Sequence, residues 1–162
     1  VLDGITTEIK TLEKEIAEKA EGSKIASLLM SIPGIGAFTA LVMLAQVGDF
    51  SRFKTPQQLG AFAGLVPSSY SSGGKERFGR ITKRGSSDLR WVMIEATNSV
   101  NQKRWGWLYD FYQRIKIKKG SKVARVALAR KLLTIAWTLI NKKDEPFLAR
   151  PSLLKPLEIV AA

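Results

Sequence analysis

Ser31-Ile32-Pro33-Gly34-Ile35-Gly36 separates two segments that are apolar at helical spacing. Ahead of it, Ser23 is placed to cap a short helix carrying Ile25, Leu28 and Leu29 on one face. Behind it, an apolar helix is expected to run to about Val47, where Gly48 stops it. A helix, a tight Pro-Gly-apolar-Gly turn and a second helix make the helix-hairpin-helix pattern, expected over about 24–48. The glycines Gly34 and Gly36 permit positive φ and let the backbone approach a ligand closely. The unpaired N–H groups that open the second helix can donate to a phosphate oxygen. Such a contact reads the nucleic-acid backbone and ignores base sequence. A plain αα-hairpin turn fits the same residues, and no Lys or Arg lies between Ile25 and Asp49.

Towards the N-terminus, Leu2, Ile5, Ile9, Leu12 and Ile16 alternate in steps of three and four. This is an a/d seam with Glu and Lys between its members. A helix of ~20 residues follows, ~30 Å long, and so narrow a stripe calls for a partner helix or for its own domain. The seam starts almost at the first residue, as though cut from a longer chain. Towards the C-terminus, Thr55-Pro56-Gln57-Gln58 reads as a capping box with Pro at the first helical position, opening a helix that stops near Gly64. Ser86 or Ser87 caps a further helix with Leu89, Val92, Met93, Ala96 and Val100 at helical spacing. Residues 105–115 form another, with Leu108, Phe111, Tyr112 and Ile115 on one stripe, and 116–120 a basic turn. From Ser121 a helix apolar on most sides runs to about Ile140 and is expected at the centre of the core. Trp91 and Trp137 lie on apolar helices and are expected in the core. Pro146, Pro151 and Pro156 make 144–162 an irregular tail. The fold is mainly α, with no convincing sheet.

The chain has 162 residues, a net charge of +12, and neither Cys nor His. Disulfides, thiol chemistry, a zinc site of the usual ligands and Ser–His or Cys–His dyads are excluded for this chain alone. The charge favours a polyanionic partner, nucleic acid before acidic membrane. It is unevenly placed: residues 1–30 sum to −2 and residues 91–143 to +10. No apolar stretch is long enough to span a bilayer. No signal peptide opens the sequence, so a cytosolic setting is expected.

Residues 65–87 hold four glycines and six serines and are expected as a long basic loop, with a small hairpin around 78–81. A phosphate-binding P-loop ending at Gly74-Lys75 is excluded by Ser69 and Glu76, and a nucleophile elbow centred on Ser72 by Tyr70. What remains is Ser71 and Ser72 beside two glycines and five cations, Lys75, Arg77, Arg80, Lys83 and Arg84. The cations can neutralise phosphates. A serine among them can attack a phosphodiester, its effective pKa lowered and the phosphorane stabilised. A solvated loop that grips DNA without chemistry fits equally. Lys116, Lys118, Lys119, Lys122 and Arg125 form a phosphate-tracking rim or the solvated face of a buried helix. Trp105, Trp107, Tyr109, Phe111 and Tyr112, interleaved with cations, can stack exposed bases, but such a stripe is more often core.

Four motifs occur in order: Ser31-Ile-Pro-Gly-Ile-Gly36, Gly60-Ala-Phe-Ala-Gly-Leu-Val-Pro67, Tyr70-Ser-Ser-Gly-Gly-Lys75, and Gly79-Arg-Ile-Thr-Lys-Arg-Gly85 with Leu89-Arg90. Over about 24–142 the sequence resembles the C-terminal domain of insertion-sequence transposases of the one-ten family, also called DEDD transposases or bridge-RNA-guided recombinases. The resemblance implies a domain at 23–143 preceded, at 1–22, by the end of a connecting coiled coil. It implies a separate RuvC-like nuclease domain whose four acidic residues hold Mg2+, and no cofactor in this part. It implies a serine that becomes linked to DNA, with Ser72 favoured and Ser71 the rival. DNA and a structured guide RNA are the implied partners, in a homodimer or tetramer joined through the coiled coil, in a prokaryotic cytoplasm at the nucleoid. Asp88, Glu95 and Asp110 are scattered and show no magnesium grouping. This part alone is therefore expected to bind DNA without cutting it. Gly34, Gly36, Lys75, Arg77, Arg80, Lys83, Arg84, Lys118, Lys119 and Lys122 are the expected nucleic-acid contacts. The alternative is a non-catalytic helix-hairpin-helix module.

Overall fold

The computed structural model describes residues 2–72, 75–100, 103–143 and 146–147; for 2–3, 69–72, 75–78, 103 and 143 it describes the backbone alone. Most of the irregular tail expected at 144–162 lies outside the described residues. The chain forms α1 (Leu2–Glu21), α2 (Lys24–Met30), α3 (Ala37–Val47), α4 (Pro56–Phe62), β1 (Pro67–Ser72), β2 (Lys75–Ile81), α5 (Ser87–Val100), α6 (Trp107–Lys119) and α7 (Ser121–Thr138). Short 3-10 turns cover Phe50–Arg52 and Lys103–Trp105, and a π turn continues α7 over Leu139–Lys143. The protein is thus mainly α, as its periodicities predict.

Local chemistry starts and stops these helices. Ser23 caps α2 by accepting from the Ala26 N–H, 3.3 Å. Thr55 caps α4 by accepting from the Gln58 N–H, with Pro56 in the first turn. The reciprocal bond differs from the expected capping box: Gln58 Oε1 accepts from the Lys54 N–H, 2.8 Å, one residue further back. Ser86, the earlier of the two candidates, caps α5 by accepting from the Leu89 N–H, 3.1 Å, and donates to Gln46 Oε1 on α3, 2.8 Å. Gly48 (φ 63) ends α3 and Gly120 (φ 83) separates α6 from α7.

α7 is the central helix and packs against α4, α5 and α6. Leu128, Leu132 and Leu133 are fully buried, each stabilising by about 1.5–3 kcal/mol relative to exposure. Trp137 is buried as expected, and its Nε1–H donates to the Phe53 carbonyl, 2.8 Å. Leu89, Val92, Met93, Ala96 and Val100 all face the core from α5. The second layer is α3 against α5, with α1 and α2 flanking it.

Five expectations change. The stretch 65–87 is mostly an antiparallel hairpin, not a long loop: Pro67–Ser72 pairs with Lys75–Ile81, and a Gly-Gly pair in the sequence between two strands suits such a connection. Residues 116–119 are the last turn of α6 and not a turn of their own: Lys116, Lys118 and Lys119 sit at the negative end of its dipole. That helix begins at Trp107, not Trp105, because Gly106 (φ 52) breaks the backbone between them. Ile25 is 38% exposed and does not share the buried face of Leu28 and Leu29. Trp91 is 58% exposed, edge-on to Phe38 with ring centroids 6.3 Å apart, so it is not a core tryptophan.

In α1 only the C-terminal end is anchored. Ala20 is fully buried, whereas Ile5, Ile9 and Leu12 are at least half exposed. The described domain therefore leaves most of the heptad seam uncovered.

Candidate nucleic-acid interface

Helices α2 and α3 flank the Ile32-Pro33-Gly34-Ile35-Gly36 turn, and its two glycines have different surroundings. Gly34 has φ 84, and a Cβ there would lie 2.4 Å from the Ala96 carbonyl oxygen and 2.8 Å from Val100 Cγ2. Its close backbone approach is to α5. Gly36 is extended (φ −91) and caps α3 without a side-chain bond, and a Cβ there would meet nothing within 4 Å. A shallow hollow of about 310 Å³ adjoins the turn and includes Gly34, Gly36, Ser99 and Arg104. Arg104 supplies a cation that the sequence between Ile25 and Asp49 lacks, although its guanidinium lies over the Trp105 ring, 4.9 Å from the centroid.

The larger concavity is elsewhere. A groove of about 1240 Å³ runs between the base of the β-hairpin and the α6–α7 junction. Its walls carry Arg80, Lys83, Arg114, Lys118, Lys119, Lys122 and Arg130, and among the described residues no carboxylate lines it. Leu65, Ile81, Ile115 and Val126 lie between the cations. The α7 first turn has no acidic residue and no side-chain cap, and Lys122 sits in it. A cation is unfavourable beside the positive end of a helix dipole, so this corner favours an anion.

Arg80, Lys83, Lys118, Lys119 and Lys122 are therefore brought together as the basic segments foreshadow. Arg84 is exposed but does not line the groove. Lys116 lies over the Tyr112 ring, 5.9 Å from its centroid, and Arg125 donates to Asn98 Oδ1, so neither joins the rim. Gly34 and Gly36 line the separate hollow. The side chains of Lys75, Arg77, Ser71 and Ser72 lie outside the described residues. Arg114 and Arg130 were missed by the sequence reading. Their signal was spacing: Arg114 precedes Lys118 by four, and Lys122, Val126 and Arg130 are four apart, one stripe on each helix.

The aromatic stripe is largely structural. Leu108 and Tyr112 are buried. The Trp105 Nε1–H donates to the Ser99 carbonyl, 2.9 Å. Lys131 lies over Trp107 and Phe111, 5.6 and 6.0 Å from their centroids, and burial there pushes its pKa down. No aromatic side chain lines the groove among the described residues, so it offers phosphate contacts and no stacking platform there.

The hairpin is fixed to the rest of the domain at its base. The Thr82 N–H donates to the Val66 carbonyl, Lys83 N–H to Gly64, and Ser86 N–H to Phe62. Gly85 has φ 118, and a Cβ would lie 2.0 Å from the Phe62 carbonyl oxygen. Ser68 Oγ donates to the Arg80 carbonyl, 3.0 Å, beside a register shift between Pro67 and Ser69. Beyond that irregularity Ser69 pairs with Phe78, Tyr70 with Arg77, Ser71 with Glu76 and Ser72 with Lys75.

Among the described residues no group of three Asp or Glu comes together to hold a metal ion. Asp88 accepts from Gln46 Nε2, 3.3 Å, and Glu95 from Asn98 Nδ2, 3.0 Å. No described helix is long and apolar enough to cross a membrane.

Known proteins resemble this chain in sequence. A family profile described as "Transposase IS116/IS110/IS902 family" matches residues 26–113. A "Probable family 20 transposase" of Pseudomonas aeruginosa is 33% identical over 149 residues, covering 88% of this chain and 43% of that protein. The "Transposase for insertion sequence element IS1111A" of Coxiella burnetii is 36% identical, covering 82% of this chain and 37% of that protein. A "Pilin gene-inverting protein" of Moraxella bovis is 35% identical, covering 75% of this chain and 38% of that protein. The chain spans about two-fifths of the length of these relatives. The matched profile runs from α2 through the hairpin and into α6, the elements that carry the turn, the Ser/Gly strands and the hairpin side of the groove. The chain belongs to the IS116/IS110/IS902 transposase family.

Proposed function

We propose that this chain is the DNA-gripping, serine-bearing part of a transposase that cuts and rejoins DNA strands. The observation that carries the reading is the groove: among the described residues, seven cations from the hairpin base, α6 and α7 line it and no carboxylate does. Neutralising phosphates with Lys and Arg releases counterions and binds DNA without reading its bases. The groove accounts for the grip, and the α2–turn–α3 hairpin adds a second backbone contact through the open Gly36 end of α3 and Arg104. A structured guide RNA, a polyanion of the same chemistry, is the proposed source of target choice. The exposed seam Ile5–Ile9–Leu12 of α1 is the proposed coiled-coil contact between protomers.

The serine step belongs to the hairpin. The serine hydroxyl gives up its proton, Oγ bonds to phosphorus, and a deoxyribose oxygen leaves with the bonding pair and takes up a proton. The resemblance favours Ser72 over Ser71. In the backbone register Ser72 is paired with Lys75 and Ser71 with Glu76. Mg2+ is assigned to a separate nuclease domain, so this chain alone is expected to hold DNA without cleaving it.

The test is a covalent trap. The parent protein, Mg2+, guide RNA and end-labelled DNA are mixed, denatured and separated, with Ser72→Ala and Ser71→Ala in parallel. Label is expected to travel with protein unless Ser72 is replaced. An adduct lost only with Ser71→Ala would transfer the role. Salt-sensitive binding with no adduct from the active parent would instead favour a non-catalytic helix-hairpin-helix module, a reading to which Arg104 at the turn lends weight.

A further inference from the structure

Lys83 is the one described non-glycine residue with positive φ (54°). A left-handed backbone disfavours an L residue with a long side chain, and such a conformation persists only where the surroundings over-determine it. Two contacts do so here. Its N–H donates to the Gly64 carbonyl, 3.2 Å. Its own carbonyl accepts from Arg90 Nη1, 3.2 Å, and the same nitrogen donates to the Ala63 carbonyl, 3.2 Å.

Arg90 is oddly placed for any other purpose. It lies in the opening turns of α5, where a positive charge opposes the helix dipole. Ala63 is the C-cap of α4, whose carbonyls are left unpaired by the helix and attract a cation. Arg90 thus ties the end of α4 to the residue that follows β2. Gly64 makes room for it: a Cβ at that position would lie 2.7 Å from Arg90 Nη1. The side chain held by this arrangement, Lys83, is exposed and lines the groove wall.

We infer that Arg90 is a positioning residue: it locks the left-handed backbone of Lys83 and so presents the Lys83 ammonium to a phosphate in the groove. The inference rests on the reading of the groove as a nucleic-acid site. Arg90 does not line the groove, and its Nη1 is engaged by the two carbonyls. Loss of Arg90 is therefore equivalent, for binding, to loss of Lys83.

Fluorescence anisotropy of the 162-residue chain with a labelled DNA duplex, over a salt series, tests this. Each phosphate neutralised contributes about −0.9 to the slope of log K against log salt. Lys83→Ala is expected to flatten the slope by about 0.9. Arg90→Met is expected to do the same, and the double variant no more than either. Arg90→Lys keeps the charge but not the two-carbonyl bridge, and is expected to behave as Arg90→Met; it serves if the Met variant fails to fold. An Arg90 variant that is folded, binds, and keeps the parent slope overturns the inference. So does a double variant whose loss is the sum of the two, since Arg90 would then meet a phosphate directly. Salt-independent binding by the unsubstituted chain would remove the groove reading itself, and Lys83 would have no phosphate to face.

Discussion

Replacing Gly34 by Ala asks whether the turn between α2 and α3 is made for a ligand or for packing. The left-handed backbone (φ 84) costs an alanine about 1 kcal/mol or a little more. The new methyl would also stand 2.4 Å from the Ala96 carbonyl oxygen and 2.8 Å from Val100 Cγ2. Backbone cannot rotate away, so α3 and α5 must separate by several tenths of an ångström or more. Overpacking of this kind costs typically about 1–3 kcal/mol. The sum, roughly 2–4 kcal/mol, is a large share of a stability on the order of 5–15 kcal/mol. For a chain of this size it corresponds to a fall in Tm of roughly 5–15 °C. Gly36→Ala is the control. Its backbone is ordinary and the position open, so the change is expected within about 0.5 kcal/mol, a small loss of N-cap preference offset by a stiffer unfolded chain. Thermal and urea unfolding followed by circular dichroism would measure both. Equal stabilities of the Gly34→Ala variant and the parent would refute the packing argument, and so would an equal loss at Gly36.

Other outcomes follow from the same geometry. Replacing Lys118, Lys119 and Lys122 together by Ala should flatten the salt slope of DNA binding from at most about −6 for seven cations to about −3.6. A fourfold rise in salt then costs about 2.2 decades of affinity where the parent loses about 3.8, and an unchanged slope would move the site away from the groove. Ser86→Ala removes both the α5 cap and the bond to Gln46; a loss of about 1 kcal/mol in urea unfolding is expected, and no loss would deny the cap its role. Asp49 is held below its ordinary value of 3.8 by the Ser51 hydroxyl first and the Ser51 N–H second, with Arg52 adding to the effect. A lowered folded-state pKa stabilises above the unfolded value and is lost as pH falls through the folded one. The parent should therefore exceed Asp49→Asn in stability near neutrality, with the gap closing below pH 3.8; a gap independent of pH would contradict this.

The helices and their ends are written in the chain itself. Ser23, Thr55-Pro56, Ser86, Gly48 and Gly120 act on backbone groups within a few residues of themselves, so their effect needs no distant partner. The buried stripes of α5 and α7 were legible for the same reason, since periodicity names the buried face. The charge map was legible as composition: the basic excess was assigned to the segment that carries the groove. What each of these meets was settled only by folding. Gly34 looks like a ligand-contact glycine until α5 is seen against it. Trp91 reads as core until its turn of α5 is found at the surface beside Phe38. The hairpin escaped because six serines and four glycines carry little apolar alternation, and its pairing is set by contacts at its base with residues 62–66. Arg114, Arg130 and the lock between Arg90 and Lys83 join segments far apart in sequence, and no spacing rule reports a distance that only folding creates.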